Sequence, residues 1–322
     1  MKAVRIHKTG GPEVLQLDDI ELPPPGPDHV RIRHRAIGVN FIDTYHRSGL
    51  YPLPLPAVIG SEAAGTIEAV GENVRTLKIG DRAAYCMVRG SYGEAANIPA
   101  WQAVKVPTAI SDEVAAAALL KGLTARYLLK ATYPVKAGQT ILLHAAAGGV
   151  GLIASQWARH LGVHVIGTVG SDDKIALAKA NGCEWVLNSR KDDWVKRVRE
   201  LTNGVGVPVV YDSIGKDTFA GSLDCLEVRG MLVYFGNSSG AVPPFEPLTL
   251  GPKGSLYLTR PTLASYARNA AELNETSEDL FNAIASGAVK ISIHQRFKLA
   301  DARASHEALQ SRATTGATIL LP

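Results

Sequence analysis

Cysteine is scarce in this chain: Cys86, Cys183 and Cys225 are the only 3 in 322 residues, and they lie far apart. An odd, scattered set excludes a disulfide framework and a CxxC metal knuckle, which leaves buried thiols as the ordinary reading. Long apolar runs are also missing. None reaches the roughly 18 residues that span a bilayer, and MKAVRIHKTGG enters a strand-like alternation without the apolar core of a secretion signal. No membrane association and a cytoplasmic location are therefore expected. Charge of one sign barely accumulates, since 34 Lys and Arg against 30 Asp and Glu leave +4, spread along the chain. With aromatics at only 6%, there is neither a basic stripe nor a stacking platform for nucleic acid.

What is present is apolar mass, 46% of residues against 20% charged, enough for well-developed cores in about two domains of roughly 150 residues each. Residues 1 to 110 read as short strands, KAVRIHK, VLQLDDIEL, HVRIRHRAIGVN, AAGTIEAVG and DRAAYCMV, separated by turn-rich PPPGP and GENVRTLKIGD. SDEVAAAALLKGLTARYLLK then opens with Ser111 as a cap and predicts a long helix. From 139 the pattern alternates strand and helix: QTILLHA, GLIASQWARHLG, HVIGTV, DDKIALAKANG, EWVLN, DDWVKRVRELTNG, PVVYDSI, DTFAGSLDCLEVRG and MLVYFGN. Such alternation predicts an α/β fold with a doubly wound parallel sheet. The expected division is a β-rich domain over 1–122, a Rossmann-type dinucleotide-binding domain over 123–261, and a segment 262–322 that carries one clear helix, SEDLFNAIASG, and returns to the first domain.

The stretch HAAAGGVG (His144 to Gly151) lies after a strand and before a helix. Against G-x-G-x-x-G it reads Ala146, Gly148 and Gly151, with an added Gly149. In that context bare backbone and the helix N-terminus can take a pyrophosphate. About 20 residues further on, an acidic residue would grip the ribose of NAD. HVIGTV ends instead in the small Gly170 and Ser171, followed by Lys174 and, after the next strand, Arg190. These residues suit a 2′-phosphate and predict NADPH rather than NADH, with Asp172 and Asp173 as the opposing feature.

The order of domains resembles the medium-chain dehydrogenase/reductase superfamily over the whole chain, which implies that the β-rich domain is GroES-like and carries the substrate site. Where its zinc alcohol dehydrogenases have G-H-E, VIGSEAAG puts Ser61 between Gly60 and Glu62, and the four-cysteine structural loop is missing. None of the 9 histidines pairs at helix spacing with a third ligand, so no metal is expected. Without a Lewis acid the substrate should be a good electrophile such as a quinone, whose charge spreads into a ring becoming aromatic. GVNFIDTYHRSGLYP, KGLTARYLL, HAAAGGVGLIASQWA, VVYDSIGKDT, FGNSSG, TRPTL and SRATTG resemble the quinone oxidoreductase branch, the ζ-crystallin-like proteins. That resemblance implies NADPH lined by Asn40, Tyr45, Thr124, Gly148, Gly149, Val150, Ser171, Lys174, Arg190, Ser213, Phe235, Asn237, Ser238 and Arg312. Ser189 stands where the family often has a tyrosine near the adenine, which weakens adenine stacking.

Asn40, Asp43 and Tyr45 form a polar group at a strand-to-helix junction. Asn40 can hold the nicotinamide, and Tyr45 or Tyr51 can donate to a quinone oxygen; helix capping is the competing role for Asn40 and Asp43. Arg260, before Pro261, can reach a substrate pocket, with a surface salt bridge as its rival. His144 is expected to pack at the strand end and Glu62 to act as a structural hydrogen-bonding group. FGNSSG ends a strand on the ligand-binding side, and SLYLTRPTL can supply an edge strand that joins a homodimer. The sequence thus predicts an NADPH-dependent quinone reductase that works by orientation and by excluding water from an interdomain cleft. Reduction of α,β-unsaturated carbonyls is the alternative. RNA binding, associated with relatives in the same branch, finds no support in the charge pattern.

Overall fold

Turn chemistry cuts the first part of the chain into short strands, as the Gly and Pro spacing predicts. In a computed structural model that describes residues 1–322, these are β1 (Lys2–Ile6), β2 (Gln16–Asp19) and β3 (His29–Val39), then helix α1 (Phe41–Ser48). Strands β4 (Ala57–Val58), β5 (Glu62–Val70), β6 (Arg82–Cys86), β7 (Ala95–Pro99) and β8 (Ala103–Lys105) follow, and helix α2 (Asp112–Tyr127) closes this part. Ser111 caps α2 by accepting the Val114 N–H. Along β3 the period of two turns Val30 and Ile32 inward beside Ile67 and Ile98.

The strand and helix alternation after 139 becomes β9 (Thr140–Leu143), α3 (Gly149–His160), β10 (His164–Val169), α4 (Ile175–Ala180), β11 (Trp185–Asn188), α5 (Trp194–Leu201), β12 (Val207–Asp212), α6 (Phe219–Asp224), β13 (Leu226–Tyr234) and β14 (Tyr257–Thr259). All six strands are parallel, in the order β11-β10-β9-β12-β13-β14. This is the doubly wound Rossmann order, and its reversal falls between β9 and β12, where such sheets bind ligands. Their apolar strands are covered on both faces, with Leu142, Ile166, Val210 and Leu232 fully buried.

The C-terminal part holds α7 (Ala270–Ala285), β15 (Ile293–Lys298), α8 (Ala302–Gln310) and β16 (Ala317–Leu321). Beside the one clear helix of the sequence, which lies in α7, stands α8, which the sequence did not mark. Its inward residues are Ala302, Ser305 and His306, small or polar, so no apolar stripe marks it in the sequence. Strand β16 pairs antiparallel with β3 through Ile319 and Gly38. The chain divides into two compact units, one of residues 1–123, 267–285 and 291–322, the other of residues 124–266 and 286–290.

Candidate functional site

In the second unit, the glycine loop joins β9 to α3. Ala145 takes a left-handed φ of 54°, Gly148 caps α3, and Leu152 is the first residue to donate back into the helix, to the Gly148 carbonyl. The N–H groups of Gly149, Val150 and Gly151 therefore precede the helical ladder and point from its positive end. A Cβ on Gly151 would lie 2.3 Å from the Ala145 carbonyl oxygen, so only glycine lets the helix start pack this close to the loop. An anion fits this turn.

Ser171 and Lys174 follow β10, and Arg190 follows its parallel neighbour β11. The Arg190 Nε lies 3.9 Å from the position a Cβ on Gly170 would occupy. Burial holds the Lys174 ammonium below its usual range; Asp173 opposes this and the Arg190 charge adds to it in smaller measure. Two cations after neighbouring strand ends suit an added phosphate. Of the two opposing acidic residues, Asp172 is engaged elsewhere while Asp173 stays beside Lys174: the Asp172 carboxylate pairs with Lys191 and accepts from Asn188 Nδ2 at 2.6 Å, and both hold it below the ordinary carboxylate range. Ser189 spends its hydroxyl on the Val169 carbonyl at 3.2 Å.

Beyond β12 and β13, Asp212 fixes the turn that carries Ser213. Buried, it accepts from the Ile214 and Gly215 N–H groups at 2.8 and 3.0 Å and from the Thr218 and Ser222 hydroxyls. Ser238 N donates to the Ser213 carbonyl at 3.2 Å, and Phe235 N to Asp212 O at 2.8 Å, which aligns FGNSSG beside that turn. Tyr234 donates to Asn237 Oδ1. Thr124 is buried near the end of α2. Arg260 is exposed and lies over the Tyr234 ring at 4.9 Å. His144 behaves as expected of a packed strand end, buried between the Thr168 and Ser222 hydroxyls at 2.8 and 3.0 Å.

The first unit gathers Asn40, Asp43, Tyr45 and Tyr51. Tyr45 and Tyr51 meet edge to face at 5.3 Å. Asp43 has no exposed surface, and it accepts from the Asn40 N–H at 2.9 Å, the Ser61 hydroxyl at 2.8 Å and the Tyr92 hydroxyl at 3.1 Å. Burial raises its carboxyl to about 6 in spite of those three donors. With both oxygens engaged, Asp43 anchors the start of α1, which is the capping role weighed for it from the sequence. Asn40 donates through Nδ2 to Glu62 Oε2 at 3.0 Å. Glu62 also takes the Lys121 ammonium at 3.1 Å and the Leu120 N–H at 2.6 Å, the structural role expected of it. Gly38 makes room for this carboxylate, since a Cβ there would meet Glu62 Oε2 at 2.3 Å. Arg312, after α8, has a left-handed φ of 59° and is half-buried.

Four participants escaped sequence reasoning: Lys121, Tyr92, and Arg47 with His306, the Arg47 guanidinium donating to His306 Nδ1 at 3.1 Å and His306 Nε2 lying 2.9 Å from the Tyr92 hydroxyl. Lys121 left a signal, a lone cation in the apolar run AAAALLKGL, which implies a buried acidic partner. No signal marks Tyr92, Arg47 or His306, because their partners are remote in sequence. No group of three or more His, Cys, Asp or Glu side chains assembles as a set of metal ligands.

Two family models match the chain, an alcohol dehydrogenase GroES-like domain over residues 26–108 and a zinc-binding dehydrogenase over 149–285. Together they define a medium-chain dehydrogenase/reductase. A quinone oxidoreductase of Pseudomonas aeruginosa is 51% identical, with 100% of this chain and 99% of the relative covered. A crystal structure of the Escherichia coli quinone oxidoreductase complexed with NADPH superposes with a TM-score of 0.99 at 49% identity, all of both chains being covered. A 2-haloacrylate reductase from Burkholderia is 45% identical over 99% of this chain and 98% of its own. The chain belongs to the quinone oxidoreductase family of the medium-chain dehydrogenases/reductases.

Proposed function

We propose that the protein is an NADPH-dependent quinone reductase. The observation that carries this reading lies in the second unit: the Gly149, Val150 and Gly151 N–H groups lead α3 ahead of its hydrogen-bonded ladder, and Lys174 and Arg190 follow the ends of the next two strands. The first suits a pyrophosphate and the second a 2′-phosphate. Bound NADPH would supply a hydride to the substrate. Family likeness to proteins that act on quinones, or are crystallised with NADPH, supports the same assignment.

Within this reading Gly148, Gly149 and Val150 hold the pyrophosphate. Gly170, Ser171, Lys174 and Arg190 take the ribose phosphate, with Ser189 beside the adenine end. Thr124, Ser213, Phe235, Asn237 and Ser238 orient the nicotinamide half, and Arg312 is assigned to the coenzyme by the family pattern. Asn40 holds the nicotinamide amide, and the Tyr45 and Tyr51 hydroxyls donate to the quinone oxygen that gains charge. These hydroxyls orient and polarise that oxygen.

A second reading, reduction of an activated carbon–carbon double bond, is favoured by the likeness to the 2-haloacrylate reductase. Such a substrate carries a carboxylate, and the exposed Arg260, braced on Tyr234, is the cation we assign to it. NADPH oxidation measured against quinones, enones and 2-haloacrylate, with and without a chelator, separates the two readings. Turnover of quinones alone supports the first, and chelator sensitivity would overturn the metal-free chemistry of both.

We also infer a homodimer formed through the outer strand β14, where Tyr257 is 56% exposed at a sheet edge. Light scattering at micromolar concentration should return twice the chain mass, and a monomer mass would defeat it. A cytoplasmic setting suits three unpaired, buried cysteines.

A further inference from the structure

Asn188, the last residue of β11, is 97% buried by its 3% exposure and engages local partners through both main chain and side chain. Its main-chain N–H donates to Asp192 Oδ2 at 2.7 Å, and its carbonyl accepts from the Lys191 and Asp192 N–H groups at 3.0 and 2.8 Å. One face of the side-chain amide, Oδ1, accepts the Arg190 N–H at 3.1 Å; the other, Nδ2, donates to Asp172 Oδ1 at 2.6 Å. A single planar group thereby joins two strand ends that carry opposite charges.

That junction matters for charge selection. Asp172 lies between Ser171 and Lys174 in sequence, where a swinging carboxylate would compete with a phosphate for Lys174 and Arg190 and would favour a ribose hydroxyl. Asn188 takes one of its oxygens and Lys191 the other. The same amide seats the backbone of Arg190, whose guanidinium passes over Gly170.

We propose that Asn188 is a positioning residue that sets the preference for a 2′-phosphorylated dinucleotide, by clipping Asp172 away from the phosphate site and seating Arg190 within it. Lys191 completes the clip from the solvent side. This rests on the assignment of Lys174 and Arg190 to the 2′-phosphate.

The test is the ratio of NADPH to NADH dissociation constants, measured by calorimetry on the full chain. A purely structural role would weaken both coenzymes alike. Asn188→Ala should weaken NADPH about tenfold, the worth of one hydrogen bond to a charged group, and leave NADH within about twofold. Lys191→Met alters an exposed side chain and should weaken NADPH about threefold with NADH unchanged, the scale of an exposed ion pair. An unchanged ratio in Asn188→Ala overturns the proposal, as does an unchanged ratio in Lys191→Met should the alanine variant not fold. Lys174→Ala with Arg190→Ala is the separate control. If that pair keeps the NADPH preference, the phosphate assignment itself fails; if it loses the preference while Asn188→Ala does not, only the role of Asn188 fails.

Discussion

The Arg47 guanidinium donates to His306 Nδ1 at 3.1 Å, joining two residues 259 positions apart in the chain. With Nδ1 accepting, the proton of His306 sits on Nε2 and is given to the Tyr92 hydroxyl at 2.9 Å; Tyr92 in turn donates to Asp43 Oδ2 at 3.1 Å. A buried cation and a buried carboxylate are thus connected through two neutral side chains. Asp43 at the far end receives the Asn40 N–H, so the C-terminal helix helps to hold the residue assigned to the nicotinamide.

This relay gives the protein a defined acid response. Burial, and then the Arg47 charge, push His306 down from the ordinary 6.5 to about 3. In the window between those values the unfolded chain binds this proton and the folded chain does not, so stability rises with pH there. His34, pushed by burial to about 4, acts in the same sense. Asp43, raised by burial from 3.8 to about 6, acts in the opposite sense within its own window, because its proton binds to the folded form. Replacing His306→Gln should therefore flatten the rise of unfolding free energy between pH 4 and 6 by about 1.4 kcal/mol per pH unit, the weight of one proton. Urea titrations of both proteins across that range measure it. Equal slopes would mean that His306 titrates normally in the fold.

Glu62 and Lys121 make a second prediction. Their side chains are 0% and 7% exposed, so removing one partner strands a buried charge. Glu62→Gln or Lys121→Met alone should cost about 3–5 kcal/mol, and the double variant clearly less than the sum. Additive losses in a double-mutant cycle would contradict the pairing.

Gly151→Ala tests the loop. The added carbon would sit 2.3 Å from the Ala145 carbonyl oxygen and 2.8 Å from the Ala146 main chain, neither of which is a flexible tip. A shift of the helix start costs about 1–3 kcal/mol and misaims the three N–H groups. NADPH affinity should fall at least about tenfold while circular dichroism stays native. Unaltered calorimetric binding would show that the turn does not grip the coenzyme.

Tyr45→Phe combined with Tyr51→Phe removes both hydroxyls and keeps the edge-to-face pair. If they polarise the quinone, kcat at saturating NADPH should drop by about 10- to 100-fold. Full kcat would leave orientation as the sole contribution of this part of the chain.

Much of this was present in the order of residues. Strand and helix alternation after 139, the glycines at the start of α3 and the run from Gly170 to Lys174 are local patterns, and periodicity and backbone freedom act locally. They announced the parallel sheet, its turn and the basic residues beside it, while small or polar inner faces such as that of α8 carried no such mark. What only the tertiary structure decided is how charges are matched. Asp43 became an anchor because Ser61 and Tyr92 reach it from other segments, Lys121 found Glu62 across 59 positions, and Asp172 was drawn aside by Asn188 and Lys191. Burying a polar group is tolerated only when a partner satisfies it, and those partners are chosen by the folded path of the chain, which adjacency in sequence does not encode.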